Sequence, residues 1–143
     1  MQCSHLTSEF AVSVQISPDD VPEIAKLGFK TIINNRPDDE ADNQPSSSQL
    51  AEVAQKEGIE YHHQPVISGN ITDQDIDIFE QLLDSVEGPV LAFCRTGTRC
   101  TVLWALSQVG TLNTEEILSR CHQAGYDLSS LRARIETRGG TSD

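Results

Sequence analysis

The stretch Pro89-Val90-Leu91-Ala92-Phe93-Cys94-Arg95-Thr96-Gly97-Thr98-Arg99-Cys100-Thr101 decides the reading of the whole 143-residue chain. Its first five residues form an apolar run that suits a strand buried on both faces, and Val102, Leu103, Trp104, Ala105 and Leu106 supply the body of a helix. Between them lies a short loop that opens on a cysteine. A loop passing from a strand into a helix N-terminus is an anion site, because unpaired backbone N–H groups point outward there and the helix dipole adds roughly half a positive charge. Gly97 lets an oxyanion approach the backbone, and Arg95 and Arg99 add full charges. A thiol of ordinary pKa ~8.5 placed in that field is driven toward the thiolate. The loop Arg95, Thr96, Gly97, Thr98 and Arg99 is therefore expected to bind an anion beside a nucleophilic Cys94. An unpaired cysteine after a strand is otherwise a small core residue. The glycine, the two arginines and the switch from strand to helix favour the catalytic alternative.

Outward from this centre, strand and helix patterns alternate. Residues 10–16 alternate apolar and polar, as in a half-buried strand at a sheet edge; Ser17-Pro18-Asp19-Asp20 then opens a helix that Gly28 closes. Phe29 to Asn34 is a strand, and the polar, acidic segment from Arg36 to Ser48 is a long surface loop near the strand ends. A helix from about Ser47 to Gly58 and a strand from Ile59 to Pro65 follow. Thr72 caps a helix with Ile76, Phe79, Leu82 and Leu83 on its apolar face, and Asn113 opens another that carries Ile117, Leu118 and Cys121. The pattern predicts one α/β domain over residues 1–143, with a core at about 10–125, a C-terminal helix at about 128–137 and a frayed tail at 138–143. Its sheet should be mostly parallel, of about four to five strands with helices on both faces, and ligands should bind beyond the carboxyl ends of the strands.

The formal charge of −12 argues against nucleic acid and anionic membranes as partners. No apolar run approaches the ~20 residues of a membrane span, and Met1-Gln2-Cys3-Ser4-His5 does not read as a charged-then-apolar leader, so a cytoplasmic location is expected. The four cysteines, Cys3, Cys94, Cys100 and Cys121, form neither a disulfide framework nor a metal-ligand pattern. His62 and His63 are adjacent on a strand and so point to opposite faces. Neither a metal nor another cofactor is expected.

The Cys94–Thr101 segment resembles the active-site loop of the cysteine-dependent protein tyrosine and dual-specificity phosphatases, and it is most similar to the phosphatase-like family found fused to bacterial beta-lactamase-like hydrolases. The order of elements from about Phe10 to Gly125, including Ile33-Asn34-Asn35-Arg36-Pro37-Asp38, resembles that family too. The resemblance implies a phosphatase fold and phosphomonoester hydrolysis through a phosphocysteine on Cys94, with Arg99 gripping the phosphate and a phosphorylated protein or small phosphomonoester as substrate. Two features depart from the phosphatase pattern. Four residues rather than five separate Cys94 from Arg99, and Phe93 and Cys100 stand where histidine and a hydroxyl residue are usual, although Thr101 offers a hydroxyl one residue on. The six-residue loop also resembles that of rhodanese-type sulfurtransferases, which would make Cys94 a persulfide carrier with a thiol partner. A non-catalytic module that recognises phosphate or other anions is the third reading. Asp38, Asp39 and Asp73 are the candidate general acids, Arg36 a candidate anion contact and Cys100 a candidate redox partner of Cys94.

Overall fold

A computed structural model describes residues 2–140. Its centre is a five-stranded sheet in the order β1-β2-β5-β3-β4, formed by β1 (Ser4–Thr7), β2 (Phe10–Ser13), β3 (Thr31–Asn34), β4 (Glu60–His63) and β5 (Val90–Phe93). β1 runs antiparallel to β2, and every other pairing is parallel. The helices are α1 (Val21–Lys26), α2 (Ser47–Lys56), α3 (Asp73–Ser85), α4 (Thr98–Ser107), α5 (Thr114–Gln123) and α6 (Arg132–Gly140).

β5 is the middle strand because its four residues, Val-Leu-Ala-Phe, have an apolar side chain for each face, and all four are buried. On one face Val90 and Ala92 belong to a core cluster with Phe79 of α3, Leu103 and Trp104 of α4, Ile117 of α5 and Ile135 of α6. On the other, Leu91 and Phe93 pack with Val21 and Ile24 of α1 and Leu50 and Ala54 of α2. Trp104, 1 % exposed, stacks on Phe10 at 6.5 Å, and Phe79 meets Phe10 edge-on at 6.0 Å. Layers of helices thus cover both sides of a mostly parallel sheet, as the alternation of patterns predicts.

Four expectations need correction. The segment from Phe10 is not an edge strand: only Phe10–Ser13 is extended, all four residues are buried, and the outer place belongs to β1, which pairs Ser4 with Val12. The core therefore begins before Phe10. The C-terminal helix starts at Arg132, after a 3-10 turn at Ser129–Leu131, and continues to Gly140. Residues 138–140 are helical rather than frayed because Arg138 anchors them, donating through Nε to the Leu106 carbonyl and through Nη2 to Asp77. The remainder of the expected tail, 141–143, lies outside the described residues.

Candidate active site

Strand register builds the site. Ser13 pairs with Phe93 and Phe93 with Asn34, so β2, β5 and β3 end at one level and the residues that follow them emerge together. The Gln15 N–H donates to the Arg95 carbonyl (3.2 Å) and the Asn35 N–H to the Phe93 carbonyl (2.9 Å), which fixes the three exits to one another. One residue further, Arg36 donates through Nη1 to Gln15 Oε1 at 3.0 Å. This is the carboxyl end of a parallel sheet, where α/β folds bind ligands.

The loop turns at Gly97, which caps α4 with φ 90° and ψ −10°, a left-handed conformation. A Cβ there would also lie 2.2 Å from the Tyr126 hydroxyl oxygen and 3.3 Å from the Ser13 carbonyl oxygen. Tyr126 donates that hydroxyl to the Thr96 carbonyl (3.0 Å), so a residue beyond α5 holds the loop's crest.

Cys94 has no exposed surface. Its sulfur accepts the Gly97 N–H at 3.1 Å. The Cys100 thiol, donating to that sulfur, is the largest influence lowering the Cys94 pKa, to about 5; the N–H groups of Cys100, Gly97 and Arg99 act the same way against the cost of burial. Burial holds Cys100 itself well above its ordinary value, so it remains a protonated donor. Cys121 shows what burial does without such donors, since its pKa is pushed up to about 11. The hydroxyl of Thr101 does not serve the thiolate as expected: it donates to the Gly97 carbonyl at 2.8 Å, and Cys100 fills that role instead.

Arg99, 7 % exposed, is held by Glu40, a residue that nothing in its sequence context marks as functional. Nη1 and Nη2 donate to the two carboxylate oxygens of Glu40 at 2.9 Å each, and Nη1 also donates to the Val66 carbonyl at 3.1 Å. Arg36 donates through Nε to the same carboxylate at 2.8 Å. Hydrogen bonding to Arg99 is the first cause, and to Arg36 a further one, that lowers the Glu40 pKa to about 2. A guanidinium has five N–H donors in a rigid fork. With its tip on Glu40 and the inner Nη1 proton on Val66, the side edge formed by Nε and Nη2 has no partner among the described residues. That edge offers two parallel donors to a tetrahedral anion.

A cavity of about 630 Å³ opens over the loop, with Arg36, Glu40, Arg95 and Arg99 as its charged wall and Ile71 and Val102 as its apolar side. None of the three expected acids lines it. Asp38 accepts the Ser47 N–H at the start of α2 (2.8 Å), Asp39 is exposed with φ 65°, and Asp73 lies 3.4 Å from Arg134 and 3.9 Å from Arg138. They serve a helix cap, a turn and a surface ion pair. His62 lies 2.6 Å from Glu60, and His63 Nε2 is 2.8 Å from the Arg36 carbonyl, which steadies the exit of β3.

The model of the phosphatase-like domain of beta-lactamase hydrolase-like proteins matches residues 2–111, from β1 to the end of α4. The chain belongs to this family. A beta-lactamase hydrolase-like protein of Xylella fastidiosa is 36% identical over 130 residues, and that match covers 90% of the chain but 30% of the relative. The chain thus spans less than a third of that protein's length. Among solved structures, a putative phosphatase from Neisseria meningitidis is 39% identical, with a TM-score of 0.85 over 94% of this chain and 96% of that one. Tk-PTP, at 15% identity and a TM-score of 0.77, shares the fold over 99% of this chain and 97% of its own. The phosphatase-like domain therefore carries its loop, its arginine and its cysteine on a fold common to these proteins.

Proposed function

We propose that this domain hydrolyses phosphomonoesters through a phosphocysteine. The Cys94 thiolate attacks phosphorus, the S–P bond forms as the P–O bond to the leaving group breaks, and the departing oxygen takes a proton from solvent. Water then cleaves the S–P bond, releasing phosphate and restoring the thiolate. The side edge of Arg99 and the N–H groups from Arg95 to Arg99 stabilise the equatorial oxygens. The observation that carries this reading is the pairing of a thiol held at about pKa 5 with a guanidinium whose tip is clamped by Glu40 and whose side edge is left open. Glu40 is a positioning residue: it sets the plane of Arg99 but, with a pKa of about 2, is ionised at neutral pH and has no proton to give. With no other carboxyl group on the cavity wall among the described residues, leaving groups of low pKa are favoured. Because Cys94 has no exposed surface, the incoming phosphate must displace part of the cover over the sulfur.

The four-residue spacing and the Cys100 thiol against the Cys94 sulfur favour a second reading, a sulfurtransferase that carries a Cys94 persulfide. One preparation assayed with an aryl phosphate and with thiosulfate plus cyanide, beside Cys94→Ser and Arg99→Lys, separates the two. Aryl phosphate turnover lost in both variants, with no thiocyanate formed, supports the phosphatase. Thiocyanate that depends on Cys94 and survives Arg99→Lys, with the aryl phosphate untouched, overturns it.

A further inference from the structure

The chain has 22 acidic and 10 basic residues, and its seven arginines live among an excess of carboxylates. Among the described residues six of the seven have a carboxylate partner: Arg36 and Arg99 share Glu40, Arg120 pairs with Glu116, Arg132 with Glu115, Arg134 with Asp73 and Arg138 with Asp77. Arg95 is the exception. Its side chain is exposed, has neither a hydrogen bond nor an ion pair among the described residues, and lines the cavity over the loop. Arg95 is thus the arginine without a carboxylate partner among the described residues, and it stands on the wall of the cavity over the loop.

We propose that Arg95 binds a second anionic group of the substrate, so that the preferred substrate is a small phosphorylated metabolite bearing a further phosphate or carboxylate, rather than a phosphotyrosyl side chain in a protein. This rests on the phosphatase reading and adds the substrate class to it. The cavity, at about 630 Å³, is of the size that encloses a small metabolite, and a single phosphoryl group fills only the part of it against the loop. Among the described residues no aromatic side chain lines it, so a phenyl ring entering behind its phosphate would meet Ile71 and Val102 but no stacking partner. Arg36 and Arg99 are already committed to Glu40, whose single charge they share. The open side edge of Arg99 and the loop N–H groups answer the scissile phosphate, which leaves Arg95 to answer a second group.

The test compares matched substrates in wild type and Arg95→Gln: glycerol 3-phosphate against 3-phosphoglycerate, and fructose 6-phosphate against fructose 1,6-bisphosphate, with a phosphotyrosyl peptide as the third class. One charge-assisted hydrogen bond predicts a kcat/KM ratio of about tenfold or more in favour of the doubly anionic member of at least one pair, falling below about threefold in Arg95→Gln. An unchanged ratio in the variant, a ratio near one in wild type, or a preference for the peptide overturns the proposal. Calorimetry with inorganic phosphate and diphosphate on both proteins provides a readout that needs no turnover. If no ester is hydrolysed, the phosphatase reading fails on its own, and tighter diphosphate binding that is lost in Arg95→Gln still supports a second anion subsite; equal binding in both proteins rejects it.

Discussion

Arg99 uses three hydrogen bonds on the protein's own oxygens, and what it has left decides what it can do. Glu40→Gln keeps the shape of the clamp but removes its charge and one acceptor oxygen, so Arg99 can swing. The expected outcome is a fall in kcat/KM for an aryl phosphate of about 10- to 100-fold, with Glu40→Asp in between, measured by steady-state kinetics. The Cys94 thiol gives a second, pH-dependent outcome. Its folded pKa, about 5, lies below the ordinary value, so the stability it contributes is full above the unfolded pKa and is lost as pH falls through the folded one. Between about pH 5 and 9, wild type should therefore gain thermal stability over Cys94→Ala as pH rises, and equal slopes for the two proteins would contradict the assignment of a thiolate. Alkylation by iodoacetamide should titrate with a midpoint near 5, yet at a rate below that of an open thiolate, because the sulfur has no exposed surface. Cys100→Ala should move that midpoint up, whereas Cys100→Ser, which keeps a donor, should restore much of the shift. The same contact bears on oxidation. Peroxide converts the Cys94 thiolate to a sulfenic acid with loss of hydroxide, and the Cys100 thiol can condense with it to a disulfide, releasing water. Mass mapping should then find a Cys94–Cys100 link, and over-oxidised Cys94 without that link would exclude it.

At the scale of the element, the loop from β5 to α4 is the part most legible in the sequence and the loop from β3 to α2 the least. Pro89 to Leu106 announces strand, turn and helix through composition alone, because both faces of β5 and nearly every side of α4 are buried. The role of Glu40 leaves no such trace: it meets Arg99 across 59 positions of sequence, from a segment whose polar composition says only that it is exposed loop. The edge strand β1 is illegible in the sequence for a related reason, since Ser4–Thr7 has one deeply buried side chain, Leu6, and no run of apolar residues to mark it. The acids singled out by their type, Asp38, Asp39 and Asp73, prove to serve a cap, a turn and an ion pair, tasks that short acidic side chains perform at helix starts and loop corners everywhere. The loop element makes its own prediction. Gly97→Ala sets a side chain into a left-handed backbone, a strain of about 1–3 kcal/mol, and drives Cβ into the Tyr126 hydroxyl. Phosphate affinity, read by calorimetry, should fall by more than tenfold while the far-ultraviolet circular dichroism stays native.

For the molecule as a whole, the anion site and the larger core share a helix. α4 begins at the loop and carries Trp104, the lone tryptophan, into the cluster with Phe10 and Phe79. An anion bound at the start of α4 should thus be felt in global unfolding, and Trp104 fluorescence should report it. At tenfold excess over its Kd, phosphate or vanadate should stabilise by about 1.4 kcal/mol and raise Tm by about 3–6 °C, in Cys94→Ser as well as wild type, because the donors survive that substitution. A melting temperature indifferent to phosphate would remove the anion site itself. The hand that Tyr126 lays on the loop has a further consequence, for descent rather than for chemistry. Positions 97 and 126 lie on either side of α4 and α5 in sequence, yet the space at one is filled by the other. A lineage that trims Tyr126 gains room at 97 but keeps a left-handed turn that glycine suits best. A lineage that loses Gly97 first meets the hydroxyl at once, and a phenylalanine still leaves a ring carbon where Cζ now stands, 3.0 Å from the new Cβ. Drift is therefore open in one order and closed in the other, and an alignment of relatives should show small residues at 126 wherever glycine has been lost at 97.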